Sequence, residues 1–145
     1  AQFLPDGTLF GYVEGKDGQR TGITTGPNEN RLSLDELLVA VLINEQTSRE
    51  AETLAAALHD SGRATLFGTT TLGDASSYEF VELSDGSAMY LPVARRFSPK
   101  GELMTTAGIV PDVEVESVAE DKGYGGESQF NRAYEFLDGQ LPPFR

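Results

Sequence analysis

The sequence predicts an α/β domain in which a βαβ unit is followed by a β-hairpin. Residues Leu37–Ile43 form an uninterrupted apolar run rich in branched side chains, which is typical of a strand covered on both faces in a parallel sheet. An amphipathic segment and a second short apolar run, Thr65–Phe67, follow it and complete the βαβ pattern. Asp85-Gly86 then separates two alternating segments, which indicates the hairpin. At 145 residues the chain is long enough for one domain with its own core.

The residues before the βαβ unit predict a turn, a strand and a long loop. Phe3–Gly7 contains the Pro and Gly of a turn, and the alternation of Thr8–Glu14 indicates a strand. Gly15–Asn30 is polar and rich in Gly, so we expect it to be a loop.

The segment from Ser48 to Ser61 predicts the helix of the βαβ unit. Its apolar residues recur at i, i+3, i+4 and i+7 and form one stripe: Ala51, Leu54, Ala55 and Leu58. Thr47 and Glu50 have the spacing of a capping box, with Thr47 as the N-cap. Gly62 is well placed to end the helix in the left-handed conformation.

The second half of the chain predicts mainly strands and turns. Tyr78–Leu83 and Ala88–Ala94 are the two strands of the hairpin, joined by a type I′ turn at Asp85-Gly86. Another turn is expected at Pro99–Gly101, and a short strand at Val113–Val115. The tail from 127 to 137 predicts a closing helix with one apolar face, formed by Phe130, Ala133, Tyr134 and Leu137.

Composition and charge exclude several classes of function. A formal net charge of −12 argues against nucleic acid as a partner, because phosphate binding depends on clustered Lys and Arg. No apolar run approaches the roughly 18 residues that span a bilayer, so we expect no membrane insertion. The chain has no Cys, and a single His59 cannot anchor an ordinary zinc site. We therefore expect neither a metal nor a cofactor.

Several segments, taken in order, resemble the C-terminal part of the peptidase domain of tail-specific (C-terminal processing) serine peptidases, family S41. The segments that carry the resemblance are Val41–Glu45, Asp60–Ala64, Phe67–Thr69, Leu83–Ala88, Arg95–Gly101 and Gly108–Val115. The resemblance covers about Phe3–Val115 and implies a crotonase/ClpP-like α/β core with an appended hairpin. It also implies a single partial domain, 1–145, that lacks its upstream part and any PDZ domain, and a location outside the cytoplasm or in a lumen.

The same resemblance places the catalytic positions of the family on residues of different chemistry. Glu52 and Asp60 both align the nucleophilic serine with Arg49, and the family's Gly-Lys-Gly turn corresponds to Gly73-Asp74-Ala75. The general base therefore corresponds to Asp74, and a Gln four residues later corresponds to Tyr78. Arg has no hydroxyl and is not deprotonated under ordinary conditions, so the family's dyad chemistry cannot operate with Arg49 and Asp74. Asp60 is the member of the family's polar set that we expect to be retained.

Two hypotheses follow from this exchange of residues. Arg49 and Asp74 are expected to form a direct salt bridge where Ser and Lys would meet. Its loss would cost about 3–5 kcal/mol if the pair is buried, and less than about 1 kcal/mol if it is exposed. Arg49 at the first turn of a helix also predicts an anion site that could hold a peptide carboxylate, together with Asp74 and Tyr78.

Three functions remain open at this stage. The leading one is an inactive peptidase homologue that serves as a peptide-binding or assembly module. Its expected partners are polypeptide C-termini or unfolded protein, or another chain or domain that completes the fold. The alternative is an active serine endopeptidase, with a displaced nucleophile at Ser48 or one from a missing segment; the third is a purely architectural piece of an oligomer. Ser48 is turned by about 100° from Arg49 around a helix, so we expect it to bond nearby backbone. His59, about 16 Å from Ser48 along the helix, is expected to be solvated.

Overall fold

The structure, a computed structural model, describes residues 3–27, 37–104, 106–116 and 127–140. Within these ranges the elements in chain order are β1 Leu9–Glu14, β2 Arg20–Thr24, β3 Ala40–Ile43, α1 Glu50–Asp60, β4 Thr65–Gly68, β5 Ser77–Glu82, β6 Ala88–Phe97, β7 Val113–Glu114 and α2 Glu127–Gln140. The strands form two sheets, an antiparallel one in the order β2-β1-β6-β5 and a parallel one in the order β3-β4-β7.

The predicted βαβ unit is present as β3, α1 and β4. The two strands pair in parallel from Ala40 opposite Thr65 to Ile43 opposite Gly68. Ile43 packs with Ala55 of α1, whereas the Phe67 ring lies 5.3 Å from the Phe136 ring of α2. The parallel sheet therefore has helices on both faces, as predicted. The strand itself is shorter than the predicted Leu37–Ile43, because β3 begins at Ala40, and within β3 only Ile43 is buried.

Helix α1 begins two residues later than the sequence predicts. Thr47, the expected N-cap, accepts a hydrogen bond from the Asn44 N–H at 3.1 Å and closes the turn after β3. Glu50 extends outward and is ion-paired with Arg96, so the predicted capping box is wrong. The carboxylate that reaches back to the helix start belongs to Glu52, which accepts the Arg49 N–H.

The buried face of α1 is rotated relative to the predicted stripe. Ala55 and Leu58 are buried as expected, but Ala51 and Leu54 are exposed. The residues that the helix buries are Glu52, Thr53, Ala55, Ala56, Ala57 and Leu58. The face is wide because the helix packs against several elements, and its alanines permit close approach. Gly62 ends the helix with φ of 69°, as predicted.

Strand β2 lies within the segment that the sequence predicts to be a loop. It pairs antiparallel with β1, and all five of its residues are exposed. A strand without a buried face carries no alternation of apolar residues, so periodicity cannot reveal it. The local signal is Asp17-Gly18, where Gly18 has φ of 70° and the Asp17 carboxylate accepts the Gln19 N–H. The last part of the predicted loop, 28–30, lies outside the described residues.

The hairpin of β5 and β6 is present, but its turn is not of type I′. A type I′ turn needs positive φ at two residues, and here Gly86 has it and Asp85 does not. The Gly86 N–H bonds to the Leu83 carbonyl and the Leu83 N–H to the Ser87 carbonyl, which is the three-residue loop that ends in a left-handed Gly. The predicted turn at Pro99–Gly101 and the short strand β7 are both confirmed.

Helix α2 is present, with a partly different inner face from the predicted one. Ala133 is buried and Leu137 half-buried, but Phe130 and Tyr134 are exposed and stack on each other. Gln129 is buried instead, and its amide donates to the Val115 carbonyl at 3.0 Å. No helix in the described part of the chain is long and apolar enough to cross a membrane.

Candidate functional site

Arg49 joins the parallel sheet to α1 through a strained backbone conformation. Its φ of 55° and ψ of −118° lie in a region that residues other than Gly rarely adopt. Two hydrogen bonds hold its N–H, one to the Glu52 carboxylate at 3.1 Å and one to the Asp74 carbonyl at 3.1 Å. Maintained strain of this kind marks a position as a candidate functional residue.

The fully buried side chain of Glu52 connects the backbone segments of the site through hydrogen bonds. Besides the Arg49 N–H, its carboxylate accepts the N–H groups of Gly73 at 2.7 Å and Asp74 at 3.0 Å, and the Thr71 hydroxyl. One carboxylate therefore fixes the start of α1 against the turn that carries Asp74. From the sequence alone, Glu52 is informative only for aligning the family's nucleophile with Arg49. Its position on the face shared with Ala55 was the available signal that this carboxylate is buried.

The predicted salt bridge between Arg49 and Asp74 is present. The Arg49 Nε lies 3.6 Å from the Asp74 Oδ2, with side chains 45% and 29% exposed. The pair is therefore closer to the exposed limit, for which a loss of less than about 1 kcal/mol is expected. The contact positions the guanidinium more than it stabilises the fold.

Two tyrosines complete the cluster. The Tyr78 hydroxyl donates to the Asp74 Oδ1 at 2.8 Å, and this hydrogen bond is the main reason why the pKa of Tyr78 is raised. The Tyr78 and Tyr90 rings stack with centroids 4.9 Å apart, and the Arg49 guanidinium lies 5.2 Å and 5.7 Å from them. Arg49, Asp74 and Tyr78 thus come together as the sequence predicts. Tyr90 was missed, because its place depends on the register of the hairpin.

The outer end of the Arg49 guanidinium is open to a ligand. Its Nε faces Asp74, and its two terminal nitrogens form no hydrogen bond with the residues that the structure describes. Arg49 immediately precedes α1, so its backbone stands at the positive end of the helix dipole. Terminal guanidinium nitrogens bind carboxylates through two parallel hydrogen bonds. The arrangement can accept one carboxylate.

Asp60 lies at the opposite end of α1, about 16 Å from Arg49 along the helix, and does not join this cluster. Partial burial raises its pKa, but hydrogen bonds from Ser98 and from the backbone and ammonium of Lys100 outweigh it, so the pKa of Asp60 is lowered. The Lys100 N–H donates to it at 3.1 Å. Asp60 therefore fastens the turn after β6.

His59 is not simply solvated, contrary to the sequence expectation. Its Nε2 lies 3.0 Å from the Asp112 Oδ1, and its Nδ1 lies 3.4 Å from the Asp60 Oδ1. The other Asp112 oxygen accepts the Leu66 N–H at 2.7 Å. The histidine thus links the end of α1 to the start of β7, far from the Arg49 cluster.

Ser48 lies immediately before the strained residue and is half-buried. Its carbonyl accepts the Ala51 N–H at 3.1 Å. The expected hydrogen bond from its hydroxyl to nearby backbone is not formed with any described residue. It is Arg49, and not Ser48, that faces Asp74.

Comparison with known proteins decides the family. The sequence profile described as peptidase family S41 matches residues 1–115 of this chain. The chain belongs to peptidase family S41. The resemblance inferred from the sequence is thereby confirmed, and so is the α/β fold with its partial peptidase domain.

Individual members of the family match over a limited part of their own length. Carboxyl-terminal-processing peptidase 3, chloroplastic, of Arabidopsis thaliana is 40% identical over 96 residues, which are 66% of this chain and 18% of that protein. The carboxyl-terminal-processing protease of Synechocystis is 35% identical over 114 residues, 79% of this chain and 26% of that protein. The solved structure of a photosystem II D1 C-terminal processing protease matches with a TM-score of 0.68 and 30% identity, over 79% of this chain and 29% of that one. This chain therefore spans roughly a quarter or less of these two curated relatives.

Proposed function

We propose that this S41 family member has lost peptidase chemistry and binds polypeptide C-termini at the cluster of Arg49, Asp74 and Tyr78. The observation that carries the proposal is the position of Arg49. It occupies the strained turn where the family alignment places the nucleophile, and it is paired with Asp74 at the position of the base.

The chemistry of the cluster supports the loss of activity. A serine–lysine dyad needs a hydroxyl that attacks and an amine that accepts its proton, and neither Arg49 nor Asp74 supplies one. The hydroxyl that does contact Asp74 belongs to Tyr78. Because the pKa of Tyr78 is raised, its phenol stays protonated near neutral pH and is a poor nucleophile.

The alternative is a working peptidase whose nucleophile is Ser48 or comes from another segment. For Ser48 the geometry is unfavourable, because the base-like carboxylate of Asp74 is already engaged by Arg49 and Tyr78. His59 is held by two carboxylates at the far end of α1 and cannot serve as its base.

Binding of a carboxylate is supported by the free end of Arg49 and the adjacent helix terminus. The choice of polypeptide as the ligand rests on the relatives, which are named for carboxyl-terminal processing. On the same basis we propose an extracytoplasmic or lumenal location, and another domain or chain that completes the binding site around Arg49.

The first test is a cleavage assay with the natural full-length protein. An unfolded polypeptide would be incubated with the wild type and with the Ser48→Ala and Arg49→Ser variants, and fragments sought by mass spectrometry. We expect no cleavage by the folded wild type. Cleavage that Ser48→Ala abolishes would make the protein an active peptidase and overturn the proposal.

The second test measures binding of one peptide with a free and with an amidated C-terminus by calorimetry. We expect the free acid to bind at least about tenfold more tightly, as for the loss of a charge-assisted hydrogen bond. Arg49→Gln should remove this difference. Arg132→Gln is the matched control, because Arg132 is also exposed and carries a single carboxylate partner on α2. Equal affinity for both peptides would refute carboxylate recognition.

A further inference from the structure

The hairpin of β5 and β6 extends from the body of the domain as a two-stranded arm, residues 79–92. Strand β1 pairs with β6 only at Arg95–Phe97, so no third strand among the described residues pairs with the arm. Every residue of the arm is exposed. An isolated two-stranded ribbon is marginally stable in water, so an arm of this kind benefits from a partner.

The arm carries an unusual amount of apolar side chain. Phe80 is 69% exposed and Tyr90 55% exposed, and four further exposed apolar residues of the arm are Val81, Leu83, Met89 and Leu91. A concentration of exposed apolar side chains on one short element indicates an interaction site.

The two faces of the arm differ in what they adjoin. Residues directly opposite each other in an antiparallel pair share a face, so Phe80 lies beside Tyr90, and Val81 beside Met89 on the other side. Tyr90 in turn stacks on Tyr78, which belongs to the Arg49 cluster. Tyr78, Tyr90 and Phe80 therefore form one continuous surface that starts at a cation; we call it the aromatic strip.

We propose that the aromatic strip binds the side chains of the last few residues of a polypeptide whose terminal carboxylate is held by Arg49. This inference rests on the proposed function and adds a preference to it. Two residues of extended strand cover about 7 Å, which is the step from Tyr78 to Phe80. An extended ligand anchored at Arg49 thus places the residues just before its C-terminus over Tyr90 and Phe80.

The chemistry of the strip defines the class of ligand. Aromatic or large aliphatic side chains gain most from contact with exposed rings. Acidic side chains are disfavoured, because Glu82 lies on the same face of the arm as Phe80 and the chain carries a net charge of −12. The preferred ligand is therefore a polypeptide with a free C-terminus and an aromatic residue one to three positions before it.

The test compares two short uncharged peptides with free C-termini, one with Phe and one with Ser at the second position from the end. Binding to the natural full-length protein is measured by fluorescence anisotropy. We expect the wild type to bind the Phe peptide about tenfold more tightly than the Ser peptide. In Phe80→Ala this preference should fall to about twofold. Met89→Ala is the matched control, since Met89 is also exposed but lies on the opposite face. It should keep the full preference.

The outcomes separate this inference from the proposed function. The strip is overturned if Phe80→Ala keeps the full preference for the Phe peptide, or if Met89→Ala loses as much of it. Either result is compatible with a persisting difference between free and amidated peptides, so it leaves carboxylate recognition standing. Absence of that difference in every variant overturns carboxylate recognition, and with it the anchored strip. Sedimentation is measured in parallel. A wild-type dimer that Phe80→Ala dissociates would assign the strip to a second copy of the chain and overturn the inference.

Discussion

Replacing Glu52 with Gln should destabilise the protein strongly, although the side chain keeps its shape. The carboxylate is fully buried and accepts four hydrogen bonds, two at each oxygen. In Glu52→Gln one oxygen becomes an NH₂ group that faces two donors. If the amide turns toward Arg49 and Asp74, both of their N–H groups lose this acceptor.

The magnitude follows from those two donors. An unsatisfied buried donor costs about 1–3 kcal/mol, and a hydrogen bond to a charged group contributes about 1.5–3 kcal/mol. The Arg49 N–H retains the Asp74 carbonyl, which reduces the loss on that side. We therefore expect the free energy of unfolding to fall by about 3–5 kcal/mol, a large share of the roughly 5–15 kcal/mol typical of a folded protein.

The assay is urea denaturation of the natural protein, followed by circular dichroism. The midpoint should fall without a change in the slope m, which would mark an effect on stability alone. Glu50→Gln is the matched control on the same helix, because Glu50 is 76% exposed and pairs only at the surface with Arg96. It should change stability by less than about 1 kcal/mol. A Glu52→Gln effect no larger than that of Glu50→Gln would refute the view that this carboxylate holds the site together.

Three further predictions concern Asp74 and Asp60. Asp74→Asn should lower the pKa of Tyr78 toward its ordinary value, because the hydrogen bond to the carboxylate is the main cause of the increase; ultraviolet titration of the phenol would show it, and an unchanged titration would contradict it. The same variant should cost less than about 1 kcal/mol in thermal unfolding, since the ion pair with Arg49 is partly exposed. The folded-state pKa of Asp60 lies below its ordinary value of 3.8, so its stabilising contribution is present above that value and is lost as the pH falls through the folded pKa. Asp60→Asn should therefore reduce the loss of stability on acidification below about pH 4, measured by urea midpoints; an unchanged acid dependence would argue against this role.

The parts of the fold that the sequence predicts are those in which one chain segment determines the outcome. The βαβ unit and the hairpin follow from apolar runs, alternation and turn residues. Strand β2 does not, since none of its residues is buried, and the cap of α1 does not, since the choice of Glu52 over Glu50 depends on the distant N–H groups of Gly73 and Asp74.

The candidate site divides in the same way. The contact between Arg49 and Asp74 could be predicted because the family's spacing, counted from Glu52 and Asp60 and from the turn at Gly73, fixes both positions. Tyr90 could not, because a register shift between Ser77 and Tyr78 decides which residue of β6 stacks beneath Arg49. Register in a hairpin follows from loop length and bulges, and the loop here was not of the predicted type.

The strained turn at Arg49 is held by contacts that do not involve the Arg49 side chain. Such a conformation costs about 1–3 kcal/mol and persists only where surrounding contacts enforce it. Here those contacts are the Glu52 carboxylate and the Asp74 carbonyl, both of which hold backbone N–H groups and are indifferent to the side chain at position 49. A substitution at position 49 therefore changes the functional group of the side chain there but not the direction in which the backbone points it. Under the proposed function, the guanidinium that binds a polypeptide carboxylate is positioned by the turn that Glu52 maintains and by the rings of Tyr78 and Tyr90, 5.2 Å and 5.7 Å away.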